Sequence, residues 1–398
     1  MADVEGTAVE AMKARVDAEV ERLAPLLLEV SHDIHAHPEE NFDETHAHRV
    51  LTDALEGNGL DVVRHAHGLP TAFRARAGTT GPNIAVLLEY DALPGLGHAC
   101  GHNIIAAAGL GAGLAAAALA DELGGSVTIL GTPAEEGGGG KIFMARDGAF
   151  DDVDAAMMIH PADHDLRTME AIAIQQLEVE FRGVAAHAAA TPWDGVNALD
   201  AAVLGYMNVA ALRQHIRPDE RVHGVFVAAG DKPNIVPDRT EMLWYVRARD
   251  LEALDRLRPR VLAALEAGAS ATGCEVSHRW VDPAFADLVR NEPLEALFAA
   301  NAARTGRTML EPDPRRRVVG STDMGNVSHL VPGIHPMLAV APPGVGIHTP
   351  GFAEHACGTQ GDRAVLDGAR AMAATVVDLW LRPDALADCR AAFDRRKV

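Results

Sequence analysis

Positive charge, cysteine, aromatic rings and long apolar runs are all scarce in this chain, and each shortage narrows what it can do. Against 56 Asp and Glu stand only 35 Lys and Arg, a formal net charge of −21 over 398 residues. That balance leaves no basic face to neutralise phosphates, which argues against nucleic acid or an anionic membrane as partner and favours small-molecule chemistry. Four cysteines, Cys100, Cys274, Cys357 and Cys389, are too dispersed to form a disulfide framework. No apolar run approaches the ~20 residues of a membrane span. The first twenty residues, MADVEGTAVEAMKARVDAEV, carry the charge pattern of a helix rather than of a signal peptide, so a cytoplasmic compartment is expected. Aromatic residues make up 4% and hydrophobic residues 48%, so the cores must be aliphatic and alanine-rich. A length of 398 residues exceeds what one core usually supports and predicts two domains.

What is present is concentrated in Leu88 to Asn103, LEYDALPGLGHACGHN, which packs Glu89, Asp91, His98, Cys100 and His102 into sixteen positions. In an extended segment, residues two apart point the same way, so Cys100 and His102 can present a thiolate and an imidazole to one side. A Cys-x-His pair alone is a weak signal. It gains weight because Gly95, Gly97 and Gly101 allow tight turns and because the apolar run Ile84 to Leu88 leads straight into the loop.

Along the chain, residues 8–35 show helical periodicity, with Val16, Val20, Leu23, Leu27 and Val30 on one face, and Thr45 to Leu55 continues as a second helix. The histidines between and within them, His35, His37, His46 and His48, read as surface or helix-capping residues rather than ligands. Val62 to Arg76 and Asn83 to Leu88 read as strands, Ile104 to Leu123 as one long buried helix, and Ser126 to Leu130 as a buried strand feeding GTPAEEGGGGK. Adjacent carboxylates at Glu135 and Glu136 repel unless a cation is shared, and a metal would supply it. A further apolar strand, Ala155 to Ile159, ends in His160. Three strands thus finish in possible ligands, the pattern of a site at the carboxyl ends of an α/β sheet. From Met169 the order becomes βαββαβ, which suggests a four-stranded sheet with two helices. The expected fold class is α/β: a catalytic metal-binding domain with a mixed, largely parallel sheet flanked by helices, formed by 1–168 and 284–398. Into it is inserted an α+β lid or dimerisation domain over 169–283, whose open sheet edges predict a homodimer.

Taken in order, YDALPGLGHACGHN, GTPAEEGGGG, MMIHP, RGVAAHAAATPWDGVNALDA, NIVPD, GSTDMGNVSH and GIHTPGF resemble the family of metallopeptidases that holds aminoacylases, carboxypeptidase G and auxin-conjugate hydrolases. Its p-aminobenzoyl-glutamate hydrolase and β-alanyl dipeptidase-like branch is nearest. The resemblance implies two divalent metal ions, zinc or manganese, on Cys100, His102, Glu136, His160 and His348. Glu135 is then the general base and His187 a group reaching the substrate carbonyl, often across a dimer interface. Asn234 and Arg247 fall at substrate-binding positions. For Arg247 the competing reading is a simple pair with Asp250, and Asp323 reads as a supporting residue. The sequence departs from the family at Asn103, where an acid is usual, and at Glu89-Tyr90-Asp91. Two metals about 3.5–4 Å apart can lower the pKa of a shared water and clamp both reacting oxygens. A base that is not itself a ligand can then pass the proton to the leaving nitrogen. The expected activity is hydrolysis of an amide bond in an N-acyl or aminobenzoyl amino acid or a small dipeptide. A strict dipeptidase, a hydrolytic deaminase of an aromatic amine, a cysteine nucleophile and a non-catalytic metal-binding relative are the alternatives.

Overall fold

The computed structural model describes residues 2–313 and 319–395. Met1, residues 314–318 and residues 396–398 of the expected discontinuous domain lie outside the described residues. The chain separates into two compact units, residues 1–170 with 288–398 and residues 171–287. The insert runs from 171 to 287 rather than 169 to 283 because Ile174 and Phe285 exchange backbone hydrogen bonds of 3.0 Å, which carries the strand pairing past the predicted end.

In the larger unit, α1 (Ala2–Ala36) and α2 (Thr45–Gly57) precede β1 (Val62–Arg64), β2 (Phe73–Ala77) and β3 (Asn83–Leu88). The predicted strand over 62–76 is therefore two strands. His65 and His67 adopt left-handed backbone, φ 56° and 54°, and turn the chain between them. Then come α3 (His102–Ala117), a one-turn α4 (Ala120–Leu123), β4 (Ser126–Gly131), α5 (Gly140–Arg146), β5 (Ala155–Met157) and β6 (His160–Ala162). The sheet order is β1-β2-β4-β3-β5, with Gly333–Ile334 beyond β5. Strands β4, β3, β5 and Gly333–Ile334 run parallel, while at one edge β2 pairs antiparallel with β4 and β1 antiparallel with β2.

Alternation along β3 explains why it is apolar from Ile84 onward. Ile84, Val86 and Leu88 join the core formed with α1, α3 and the helix Thr359–Leu381, whereas Ala85 and Leu87 join a second core with Met144, Phe150 and Val327. Covering both faces leaves room for a polar side chain only where it finds a partner, as Asn83 does with Thr128 Oγ1 at 2.9 Å. Helix α3 approaches the sheet closely through its glycines: a Cβ on Gly109 would lie 2.8 Å from Leu88 Cδ1, and one on Gly113 would lie 2.5 Å from Ile129 Cδ1. The expected long helix over 104–123 is broken after Ala117, and α4 ends at Gly124, which takes a left-handed φ of 66°.

The smaller unit follows the expected βαββαβ order: Ala173–Arg182, Ala198–Leu212, Arg221–Ala228, Arg239–Ala248, Leu251–Thr272 and Glu275–Trp280. All its strand pairings are antiparallel, with Glu275–Trp280 and Arg221–Ala228 at the two edges. Leu177, Val179, Phe181, Trp244 and Val246 pack under the two helices in a core of their own. No helix among the described residues is long and apolar enough to cross a membrane.

Candidate metal centre

Most candidate ligands are delivered by the ends of parallel strands. After β3, Glu89, Tyr90 and Asp91 are buried, and the chain returns at His98 to Gly101. The Cys-x-His pair is not extended, as the spacing suggested. Gly101 turns at φ 78°, its missing Cβ would sit 2.9 Å from Pro161 Cγ, and His102 is already the first residue of α3. After β4, Ala134 is held at φ 58°, a conformation that costs a non-glycine residue of order 1–3 kcal/mol. The buried Glu44 carboxylate secures it, accepting from Ala134 N at 2.9 Å, Phe42 N at 2.9 Å and Thr71 Oγ1 at 2.7 Å. Glu135 and Glu136 follow at once. His160 opens β6, and His348 contributes from a loop, itself at φ 64°.

These side chains converge. Cys100 Sγ lies 3.4 Å from His160 Nε2, while His160 Nδ1 donates to Pro161 O at 2.7 Å, which leaves Nε2 as the free lone pair. His102 Nδ1 faces Asp91 Oδ1 at 3.1 Å, and the other Asp91 oxygen accepts from Glu136 N at 2.9 Å. His348 Nε2 lies 3.1 Å from Glu136 Oε1. Cys100, His102 and His160 each offer a donor atom within 4.8 Å of the others, and so do Cys100, Glu136 and His348. The two triads share one sulfur. Buried His102 Nε2 makes no hydrogen bond among the described residues. Leaving such an atom unsatisfied costs about 1–3 kcal/mol, a cost that a divalent cation bound to it would remove. The donor set, one thiol, three imidazoles and one carboxylate, fits zinc-class divalent ions.

The electrostatics separate the two adjacent glutamates. Burial, then the Glu89, Glu136 and Asp323 carboxylates, push Glu135 well above the usual carboxylate range. Burial also acts on Glu136, but His348 and His102 outweigh it and hold that carboxyl below its ordinary value. Burial disfavours the imidazolium at His102, yet Asp91 and Cys100 overcome it and raise the group well up. Burial and the positive His102 lower His160 to about 4, so its imidazole is neutral and available as a donor. The Cys100 thiol is pushed up by burial and by Glu136, so it yields its proton only to a strong cation.

Lys141 is the main residue that the sequence reading missed. Fully buried in α5, its ammonium lies 2.5 Å from Glu89 Oε1 and 2.7 Å from Asp323 Oδ1. The cation expected near the Glu-Glu pair is therefore supplied in part by the protein, and Asp323 holds that lysine. The signal was a lone basic residue directly after four glycines. His335 was also missed: it is buried, stacks on His160 at 5.2 Å between centroids, and makes no side-chain hydrogen bond among the described residues. His335-Pro336 repeats His160-Pro161, and His160 N donates to Pro336 O at 2.9 Å. The histidines read as surface residues need correction at His48, which is buried and stacks on His65, and at His35, whose Nε2 meets Ala353 O at 2.8 Å. Asn103 donates to Ser31 Oγ and Ala356 O and so anchors α3 instead of supplying an acid.

The remaining predicted residues lie in the smaller unit. His187 sits in the loop after the first strand, its Nδ1 accepting from Ala189 N and Ala190 N at 3.3 and 3.2 Å. Asn234 is its neighbour, since Ala188 N donates to Asn234 O at 3.0 Å. Arg247 does not pair with Asp250, which binds Arg249 at 2.7 Å instead. The Arg247 Nε is buried without a hydrogen bond among the described residues, its guanidinium lies 5.7 Å from the Tyr245 ring centroid, and burial lowers its pKa.

Known proteins show the same organisation. The chain is 38% identical over 400 residues to the Xaa-Arg dipeptidase of Mus musculus, covering 97% of this chain and 93% of that protein. It is 36% identical over 307 residues to one chain of the p-aminobenzoyl-glutamate hydrolase of Escherichia coli (strain K12), covering 72% and 64%. Among solved structures, an aminobenzoyl-glutamate utilization protein from Klebsiella pneumoniae superposes with a TM-score of 0.71 at 22% identity, covering 91% of this chain and 98% of its own. A dinuclear metal binding peptidase from Bacillus subtilis does so at 0.69 and 21%, covering 90% and 99%. Residues 86–378, which carry the loops that deliver the candidate ligands, match the family described as Peptidase family M20/M25/M40, and the chain belongs to that family of metal-dependent peptidases and amidohydrolases.

Proposed function

We propose that this protein is a binuclear metal-dependent hydrolase that cleaves the amide bond of a small dipeptide, with Glu135 as general base. The observation that carries the proposal is the pair of donor triads, Cys100-His102-His160 and Cys100-Glu136-His348, sharing a single thiol. When bound, the two ions would supply Lewis-acid polarisation of the scissile carbonyl and a more acidic water. Glu135 receives the water proton, and its environment suits the task, because burial and neighbouring carboxylates make it a good proton holder. It then hands the proton to the departing nitrogen. Asp91 fixes the His102 ring through Nδ1 and the Glu136 backbone through the other oxygen, so the same carboxylate orients two ligands.

His187, Asn234 and Arg247 act on the substrate side in this reading. His187 and Asn234 are neighbours in adjoining loops, the first as a donor to the carbonyl oxygen. The Arg247 guanidinium, whose Nε finds no hydrogen-bond partner among the described residues, suits a carboxylate. A homodimer is part of this reading, supported by the edge strand Arg221–Ala228, where Val225 and Val227 are 60% and 62% exposed, and by the exposed Val203, Leu204 and Met207 of Ala198–Leu212. The substrate class follows the mouse relative, an Xaa-Arg dipeptidase, and a chain of net charge −21 attracts a cationic dipeptide. Hydrolysis of an aminobenzoyl amino acid is the second reading, favoured by the likeness to the Escherichia coli hydrolase.

The test is turnover of Xaa-Arg dipeptides, aminobenzoyl-glutamate and N-acyl amino acids by zinc- or manganese-loaded enzyme, run beside two variants. Glu135→Gln should keep its metal and lose about 10²–10⁴ in rate, whereas Glu136→Gln should lose metal. Equal metal loss in both would show that the pair has been divided wrongly.

A further inference from the structure

Outside the centre just described, a second group of metal-ligating side chains gathers where α1 ends and α2 begins. Asp33 stands in the last turn of α1, His37 follows just past its end, and His46 is the second residue of α2. His37 Nδ1 lies 3.1 Å from Asp33 Oδ1, and His46 Nε2 lies 2.8 Å from Asp33 Oδ2. The two rings pack with centroids 4.4 Å apart, and one donor atom from each of the three residues falls within 4.8 Å of the other two. We propose that Asp33, His37 and His46 form an accessory binding site for a zinc-class divalent ion, separate from the catalytic centre.

Two features make the cluster a site rather than a chance meeting of surface groups. The ligands are held in place by backbone: Asp33 stands in the last turn of α1 with His37 four positions on, just past the helix end, and the Glu39 carboxylate fixes the start of α2 by accepting from His46 N at 2.8 Å and Ala47 N at 3.0 Å. The donor set is also apt, since two imidazoles and a carboxylate with open positions suit transition-metal ions rather than magnesium or calcium. The nearest opposing charge is Arg49, whose Nη2 lies 3.3 Å from His46 Nδ1 and whose Nη1 lies 3.4 Å from Asp53. On binding, the His46 proton that Nε2 turns towards Asp33 moves to Nδ1, freeing Nε2 for the ion, and Arg49, which donates to Nδ1, gives up the ring and retains Asp53. His37 likewise moves its proton to Nε2, releasing the Asp33 backbone oxygen that Nδ1 contacts at 2.8 Å. No proton is lost in either rearrangement.

An ion there would clasp the two ends of the connector 38–44, and that connector touches the catalytic loops. Glu39 O accepts from Ala92 N at 2.8 Å, Asn41 Nδ2 donates to Glu136 O at 2.9 Å, and Glu44 holds Ala134 N. The accessory ion would therefore stiffen the segment that supports Glu135 and Glu136 without contacting substrate. The site itself does not depend on the reaction assigned to the centre.

Zinc binding to the full chain measures it directly. Equilibrium dialysis with elemental analysis is compared for the unaltered protein, His37→Gln, His46→Gln and Asp33→Asn, each checked by circular dichroism before metal is added. His37 is more than half exposed, with a side-chain exposure of 56%, so its replacement leaves folding intact. Each variant should bind one equivalent of zinc fewer, or bind it more weakly by at least the about 10–100-fold that loss of an outer partner causes. Zinc should slow amide exchange over residues 38–44 in the unaltered chain beyond what it does in His37→Gln. Equal zinc content across all four proteins, with equal protection of the connector, would overturn the proposal.

Discussion

Replacing Lys141 by methionine tests the electrostatic design of the centre most sharply. The side chains are of similar length, so packing is largely kept while the ammonium disappears from between Glu89 and Asp323, at 2.5 and 2.7 Å. Both carboxylates and the lysine are fully buried, with side-chain exposures of 0%. Removing one partner of a buried ionic pair costs about 3–5 kcal/mol, because the remaining charge keeps its desolvation penalty. With two carboxylates abandoned here, the loss at neutral pH belongs at the upper end of that range. The pH dependence follows from Asp323, whose carboxyl burial already raises to about 6 even though Lys141 pulls it down, with Glu89 adding to the rise. A carboxyl whose folded value exceeds its unfolded value stabilises the fold when protonated, and loses that contribution as pH rises through the folded value. Without Lys141 the value rises further, so the variant recovers stability on acidification from pH 8 towards pH 5.5 by more than the parent does. Urea denaturation of both metal-free proteins across that range measures the difference. A loss below about 1 kcal/mol, or one that does not shrink in acid, would refute the argument.

Three other outcomes are expected. Metal uptake at the centre must displace protons from the raised Cys100 thiol and the raised His102 imidazolium, so affinity should fall steadily from pH 8 to pH 6; calorimetry in buffers of different ionisation heat would detect the released protons, and pH-independent binding would contradict the ligand assignment. Val225→Glu with Val227→Glu should yield monomers in sedimentation, and mixing His187→Ala with Glu135→Gln protein should restore activity only while dimers form; unchanged dimers in the valine variant, or no recovery among verified heterodimers in the mixture, would remove the interface or the action across it.

Much of the architecture is written in local pattern. The uninterrupted apolar run of β3 implies a strand covered on both faces, and the ladder of Ile84, Val86 and Leu88 against Ala85 and Leu87 realises it. The order of strands ending in Cys100 and His102, in Glu136 and in His160 carried the idea of a site at the carboxyl ends of neighbouring strands, and β4, β3 and β5 are indeed adjacent and parallel. Periodicity reports such features because they depend on residues a few positions apart. It could not report that Lys141 neutralises Asp323, 182 positions away, or that His335 stacks on His160. Nor could it show that Asp250 takes Arg249 and leaves the Arg247 Nε without a partner among the described residues, since the two arginines lie only two positions apart and the folded environment alone decides which one meets a carboxylate. His37 and His46 looked like isolated surface histidines because nothing in their spacing reveals that two helix ends meet over Asp33. The chain's local chemistry determined which elements form and which residues are able to bind metal, while long-range packing, where burial makes each unpaired charge costly, decided which of those residues meet and in what protonation state.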